Sequence, residues 1–433
     1  MRHRRLAVAL ILLVCICLTG CAKKPPPSSD SLVFMVRATA DQLKVWQEAV
    51  DLFTEQSKIK VTLQNEPYDT YFSKLQTMIA GGTPPDVVFM ESTRFPEFVT
   101  KNTLLNLTPY LQKETEFTGT DFYPEAWQSY RYQGQQYGLP NDIAVLGLMY
   151  NQDLFEIDFV KAPTTNWTWN DYLKAARTLT KDTDEDGRID QWGTTVCPWW
   201  QVFVWQNGGE LVDNVQQPTR STLATSAAQG ALQFLADLSL KQKVAPSASL
   251  TESMGRCEAF TAGKVAMIYA GHWDCPQLNK MKDSRWEAAP LPRGKQQANL
   301  GLGSGYCITS GSKRADDAWQ FLLFMSAGEG QKKLLSAGFS TPANEALANS
   351  EYFAGGMSAG PGAFLQGLKF IHPVPFTTRY TEIATIWDQE LQLLWSGQAT
   401  VQQVTAKIDE RVNKVLSEAN PATAWLLPLT PRG

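Results

Sequence analysis

Between residues 32 and 92 the apolar pattern switches period four times, and this alternation constrains the fold more than any other feature. LVFMVRA (32–38) is a continuous apolar run of strand length. DQLKVWQEAVDLFTEQS (41–57) then places Leu43, Val45, Trp46, Val50, Leu52 and Phe53 at helical spacing. KVTLQNE (60–66) reads as a second strand, YDTYFSKLQTMIAGG (68–82) as a helix ended by glycine, and PPDVVFMES (84–92) as a third strand. A β-α-β-α-β order predicts parallel strands joined by right-handed crossovers, in an α/β sheet with helices on both faces. Ligands in such sheets sit beyond the carboxyl ends of the strands, so the exits at 37–41, 65–69 and 91–95 are the segments to watch. A folded body of about four hundred residues exceeds one comfortable core and predicts two lobes.

The N-terminus predicts export. Arg2, Arg4 and Arg5 precede an apolar run, Leu6 to Leu18, that is short for a bilayer span and is followed by Thr19-Gly20-Cys21. This is the anatomy of a signal peptide over 1–20. LTGC also resembles a bacterial lipobox, which implies lipidation of Cys21, with acyl chains as the membrane anchor. Residues 21–31, rich in proline and serine, read as a solvated tether. The formal charge of −4 becomes about −7 once three signal arginines and no acid are removed, which argues against nucleic acid as a partner. Cys197, Cys257, Cys275 and Cys307 remain in the folded body. Their even number in an oxidising compartment predicts a Cys257–Cys275 disulfide, with Cys197 and Cys307 either paired or free. Three histidines (His3, His272, His372) do not supply an imidazole metal site.

Seven segments, in this order and spacing, resemble the extracellular solute-binding proteins of bacterial ABC importers, in their maltose- and oligosaccharide-binding branch. They are KLQTMIAGGTPPDVVFMESTRF (74–95), YGLPNDIAVLGLMYNQDLF (137–155), WTWNDYLKAARTLT (167–180), NGGEL (207–211), FTAGKVAMIYAGHW (260–273), GLGSGYCITSGSKRADDAWQFLLF (301–324) and GQATVQQVTAKIDERVNKVL (397–416). The resemblance implies a two-lobed periplasmic-binding-protein fold with a ligand cleft that closes by hinge bending. Chain crossings fall near 140–144, 301–305 and 342, giving lobe one as 32–142 and 305–342, and lobe two as 143–304 and 343–433. It further implies a monomeric, non-enzymatic receptor that carries a carbohydrate to ABC permease subunits and requires no cofactor.

Sugar recognition needs flat apolar faces against pyranose C–H groups and planar polar groups for hydroxyls. Trp273, at the end of a Gly-x-Trp turn, is the foremost stacking candidate by resemblance. Of Trp199 and Trp200, adjacent residues of extended chain, one should face the cleft and the other the core. Glu91, Ser92, Thr93 and Arg94 align with hydroxyl-binding positions; the maltose pattern has an acid where Thr93 stands, and Arg94 either grips ligand or pairs with a carboxylate. Tyr68, Glu66, Asp142, Tyr306 and Arg379 complete the candidate set. The glycines of GLGSG lack the GK[ST] ending of a phosphate loop and suit a hinge strand. Asp182, Asp184, Asp186, Arg188 (by its carbonyl) and Asp190 follow the spacing of a calcium loop, although Gly193 replaces the twelfth-position glutamate. A solvated acidic turn is the other reading. Two alternatives remain: a non-sugar solute (polyamine or glycerol phosphate), or an exported carbohydrate-active enzyme, for which no paired-carboxylate signature stands out.

Overall fold

The computed structural model describes residues 30–281, 284–338, 341–350 and 360–418. The expected signal peptide, Cys21 and nearly all of the tether lie outside them, as do residues 419–433.

The alternating segment forms β1 (Leu32–Val36), α1 (Ala40–Ser57), β2 (Val61–Asn65), α2 (Tyr71–Ala80) and β3 (Val87–Glu91). β1 pairs in parallel with both β2 and β3, as the period predicts. α1 starts where Thr39 and Gln42 cap each other reciprocally, satisfying two of the amide groups a helix start leaves unpaired. Two long strands finish this sheet: β4 (Gly138–Ala144) and, far along the chain, β5 (Leu302–Ile308). β5 runs antiparallel to both β3 and β4, so the sheet is mixed, in the order β2-β1-β3-β5-β4. Phe34, Trp46, Phe53, Phe321 and Tyr306 interlock beneath it; Phe34 lies 5.0 Å from Phe321 and 5.5 Å from Trp46, ring centre to ring centre. Each buried aromatic of this kind contributes roughly 2–3 kcal/mol.

The second sheet is small. β6 (Leu146–Asn151) follows β4 after one residue and lies between β7 (Met267–Gly271) and β8 (Trp286–Ala289), antiparallel to both. Its core is made mostly by helices, among them α3 (Trp169–Thr178), α4 (Gln201–Gln206), α5 (Ser226–Leu240), α6 (Tyr380–Trp395) and α7 (Val401–Glu418). β4 and β5 pair antiparallel along the segments expected to cross between lobes. The expected divisions at 142/143 and 304/305 fall inside these strands, and Asp142 also bridges to Pro342, the third crossing. Here the glycines of GLGSG have a steric reason. A Cβ on Gly303 would stand 2.6 Å from the Asp142 carbonyl, and one on Gly305 would stand 2.7 Å from that of Leu139. The strands approach each other too closely for side chains at those positions.

Candidate functional site

Three strand exits of lobe one converge through side chains. Arg37, just past β1, donates to the carboxylate of Glu91, which ends β3. The Arg37 guanidinium also covers the ring of Tyr68 at 3.9 Å, drawing in the β2 exit. Arg37 was not among the sequence candidates, although its segment was; its place at the end of an apolar strand is the signal that could have found it. Arg94 lies over Phe72 at 4.6 Å, stands 3.5 Å from Glu97, and donates to the hydroxyl of Thr381 in lobe two. Ser92 is buried: its amide donates to the Gly303 carbonyl at 2.9 Å and its hydroxyl accepts from the Gly303 amide at 3.2 Å. It fastens β3 to the crossing strand. Thr93 stays partly exposed between Ser92 and Arg94. Glu66 accepts from Gln64 at 2.9 Å and lies 3.8 Å from Lys74.

Asp142 sits at the crossing, accepting from the Ser304 amide at 2.7 Å and from Asn141 at 3.1 Å. Burial raises its pKa to about 6, with Ser304, Arg37 and Asn141 pulling the other way. Desolvation wins because three neutral donor groups and one shared cation replace less than full hydration.

Tyr306 does not belong to the site. Side chains alternate along β5, so Tyr306 and Ile308 both enter the lobe-one core, where the Tyr306 hydroxyl donates to Asn141 at 2.7 Å. Arg379 is also directed elsewhere, pairing with Glu382 at 2.7 Å and reaching Glu418 at 3.9 Å on α7. Its neighbours Tyr380 and Thr381 meet lobe one instead. Burial and then the charge of Glu91 push the Tyr380 phenol upward, and Phe376 comes within 6.3 Å of Phe95. These partners come from segments almost three hundred residues away, beyond the reach of any local pattern.

Lobe two contributes aromatic faces. β7 ends at Gly271, and the Trp273 indole folds back over it so closely that a Cβ there would stand 2.2 Å from the ring. Trp199 meets Trp273 edge-on, 5.6 Å between centroids at 72°. The Arg256 guanidinium lies 4.9 Å from the Trp199 ring and is held by Asp274, which also accepts from the Gly271 amide at 3.0 Å. Trp199 and Trp273 are both partly exposed, whereas Trp200 is buried against Trp387 at 5.5 Å. Trp200 is thus the core member of the pair. Its backbone is helical at the start of α4, where an extended chain was expected.

The Cys257–Cys275 disulfide is not formed. Both are free, buried thiols. The Cys257 thiol is hydrogen-bonded to Asp274, and burial pushes its pKa up to about 12. Cys197 and Cys307 are free in separate apolar clusters. In the acidic loop, oxygens of Asp182, Asp184 and Asp190 lie within 4.8 Å of one another. Asp186 is outside that group; like the other three carboxylates it accepts from a loop amide, that of Arg188, at 2.8 Å. Gly193 cannot carry a ligand side chain, because a Cβ would stand 2.0 Å from the Ala176 carbonyl.

Among the described residues no helix is long and apolar enough to cross a membrane. A galactooligosaccharide-binding protein of Bacillus subtilis (strain 168) is 25% identical over 410 residues, covering 90% of this chain and 92% of that protein. An ABC substrate-binding protein from Listeria monocytogenes, solved in complex with cycloalternan, superposes with a TM-score of 0.81 at 26% identity over 89% of this chain and 99% of its own. The maltose-bound MalE3 of T. maritima gives 0.76 at 20% identity, covering 89% and 99%, which speaks for the two-lobed fold. These relatives are binding proteins rather than enzymes. The model of the bacterial extracellular solute-binding proteins matches residues 39–332, and the chain belongs to that family.

Proposed function

We propose that this chain captures a neutral carbohydrate between its lobes and delivers it to the permease of an ABC transporter. The observation that carries the reading is that each of three guanidiniums is paired with a carboxylate, so none is left free for an anionic ligand: Arg37 with Glu91, Arg94 with Glu97, and Arg256 with Asp274. Such pairs offer strong, oriented hydrogen bonds without net charge, which suits hydroxyl groups. A polyamine would favour an excess of carboxylates, and a phosphate an unpaired guanidinium. Trp199, Trp273 and Tyr68 supply ring faces for the C–H side of a sugar. The sugar-binding names of the relatives support the same class.

The test is a thermal-shift panel of mono- and oligosaccharides, polyamines and glycerol phosphates on the purified protein, since a ligand bound by the folded state alone raises Tm. Stabilisation by a sugar supports the reading; a response confined to polyamines or phosphates overturns the substrate class.

The chain acts as an exported receptor anchored through acylated Cys21, working as a monomer and consuming nothing itself. Acyl labelling that disappears in Cys21→Ala would bear out the anchor. Asp182, Asp184 and Asp190, with the Arg188 carbonyl, are the oxygens that would hold a structural calcium; Gly193 leaves that shell without its bidentate carboxylate, so affinity would be low. Calcium titration followed by Tm checks this.

A further inference from the structure

Two polar contacts join the lobes, one clear of the residues assigned to ligand and one through Arg94, which belongs to them. Asp41 stands at the start of α1, just beyond the β1 exit, and accepts from Lys280 of lobe two at 2.7 Å. Lys280 follows the short helix Cys275–Leu278 that leads on from Trp273. On the other flank, Arg94 beyond β3 donates to Thr381 at the start of α6. β1 and β3 are neighbours in the sheet, and Arg37–Glu91 joins their exits. The two interlobe contacts therefore straddle that pair.

We propose that Asp41–Lys280 and Arg94–Thr381 form a two-point clasp that favours the closed arrangement of the lobes and so sets the affinity for the captured solute. This rests on the reading that solute binds between the lobes. Apparent affinity scales with the fraction of molecules in the binding-competent form, so groups that hold the lobes together act on it even where, as with Asp41, Lys280 and Thr381, they are not assigned to ligand. Both Asp41 and Lys280 are 66% exposed, which makes their pair weak and salt-sensitive. Weakness is functional here: a clasp that tunes closure must still let the lobes reopen for release. Lys280 draws the Asp41 carboxyl below its ordinary range, in keeping with the pairing.

The experiment compares wild type, Asp41→Ala, Thr381→Val, the double variant, and the charge swap Asp41→Lys/Lys280→Asp. Small-angle scattering of the ligand-free protein reports closure. Titration with a stabilising sugar from the panel reports affinity. The clasp predicts a larger radius of gyration in the double variant, and binding about two- to fivefold weaker for each of the two clasp points removed. The charge swap should return both values toward wild type, and added salt should open wild type but not Asp41→Ala. Unchanged scattering in the double variant overturns the clasp, whatever happens to affinity. If no sugar in the panel binds wild type, scattering still decides the clasp, and the carbohydrate reading falls separately.

Discussion

The two lobes bring different side chains to the candidate site, and by different physical means. Lobe one carries a five-stranded sheet whose exits bring charged side chains together in pairs. Lobe two has a three-stranded sheet under a thick helical layer, and it presents two indoles, one seated on Gly271. Strand exits place short, directional groups well, because neighbouring exits are held about 5 Å apart by the sheet. Broad apolar faces need support from beneath, which a helical core provides. On the proposed reading the difference is a division of labour: orientation from lobe one, apolar area from lobe two.

The largest expected effect tests the aromatic side. Trp273→Ala should weaken sugar binding roughly 10- to 100-fold by calorimetry, as loss of a buried aromatic anchor does. Gly271→Ala should weaken it less, on the order of tenfold, because the added methyl must displace the indole. Full affinity in both variants would assign recognition to lobe one alone.

Next comes the charged side. Glu91→Gln strands the Arg37 guanidinium, whose side chain is only 12% exposed. Stability should fall by about 1–2 kcal/mol in urea unfolding, less than for a fully buried pair because Glu91 keeps its access to solvent. The same variant gains a net positive charge in the cleft, so an acidic sugar should improve relative to a neutral one.

Asp142 sharpens the comparison at the crossing. Its folded pKa is about 6 against an ordinary 3.8, so the folded protein holds this proton longer than the unfolded chain. The stability contributed by protonated Asp142 is complete below about pH 4 and is lost as pH rises through 6. Asp142→Asn should remove that slope, on the order of 1–2 kcal/mol between pH 4 and 7 by chemical denaturation.

The smallest effect concerns Tyr306. Tyr306→Phe should cost about 1 kcal/mol by leaving Asn141 short of a donor, with sugar affinity unchanged. A large drop in affinity would return Tyr306 to the cleft.

Much of the fold was legible because the signals are local. The change of period between 32 and 92 predicts β1 to β3 and the two helices between them. The strand exits at 37, 66–68 and 91–94 follow from strand ends. Trp273 was singled out by the resemblance of its Gly-x-Trp turn to that of the family. The antiparallel placement of β5 between β3 and β4 was not legible, since β3 and β5 are more than two hundred residues apart. Tyr306 illustrates the consequence: its neighbours suit a ligand-facing strand, but which face of β5 is buried depends on the sheet it joins.

By itself the sequence determined the α/β alternation, the strand exits that carry Arg37, Glu91 and Arg94, and the aromatic stock of lobe two, since period and turn chemistry act over a few residues. Tertiary structure decided which of these groups meet. It turned Trp200 into the core and left Trp199 beside Trp273, directed Arg379 to Glu382 and Glu418, gave Cys257 an aspartate in place of a disulfide partner, and brought Thr381 to Arg94. Each outcome depends on the meeting of segments distant in the chain, whose geometry is set by packing two cores and not by local propensity.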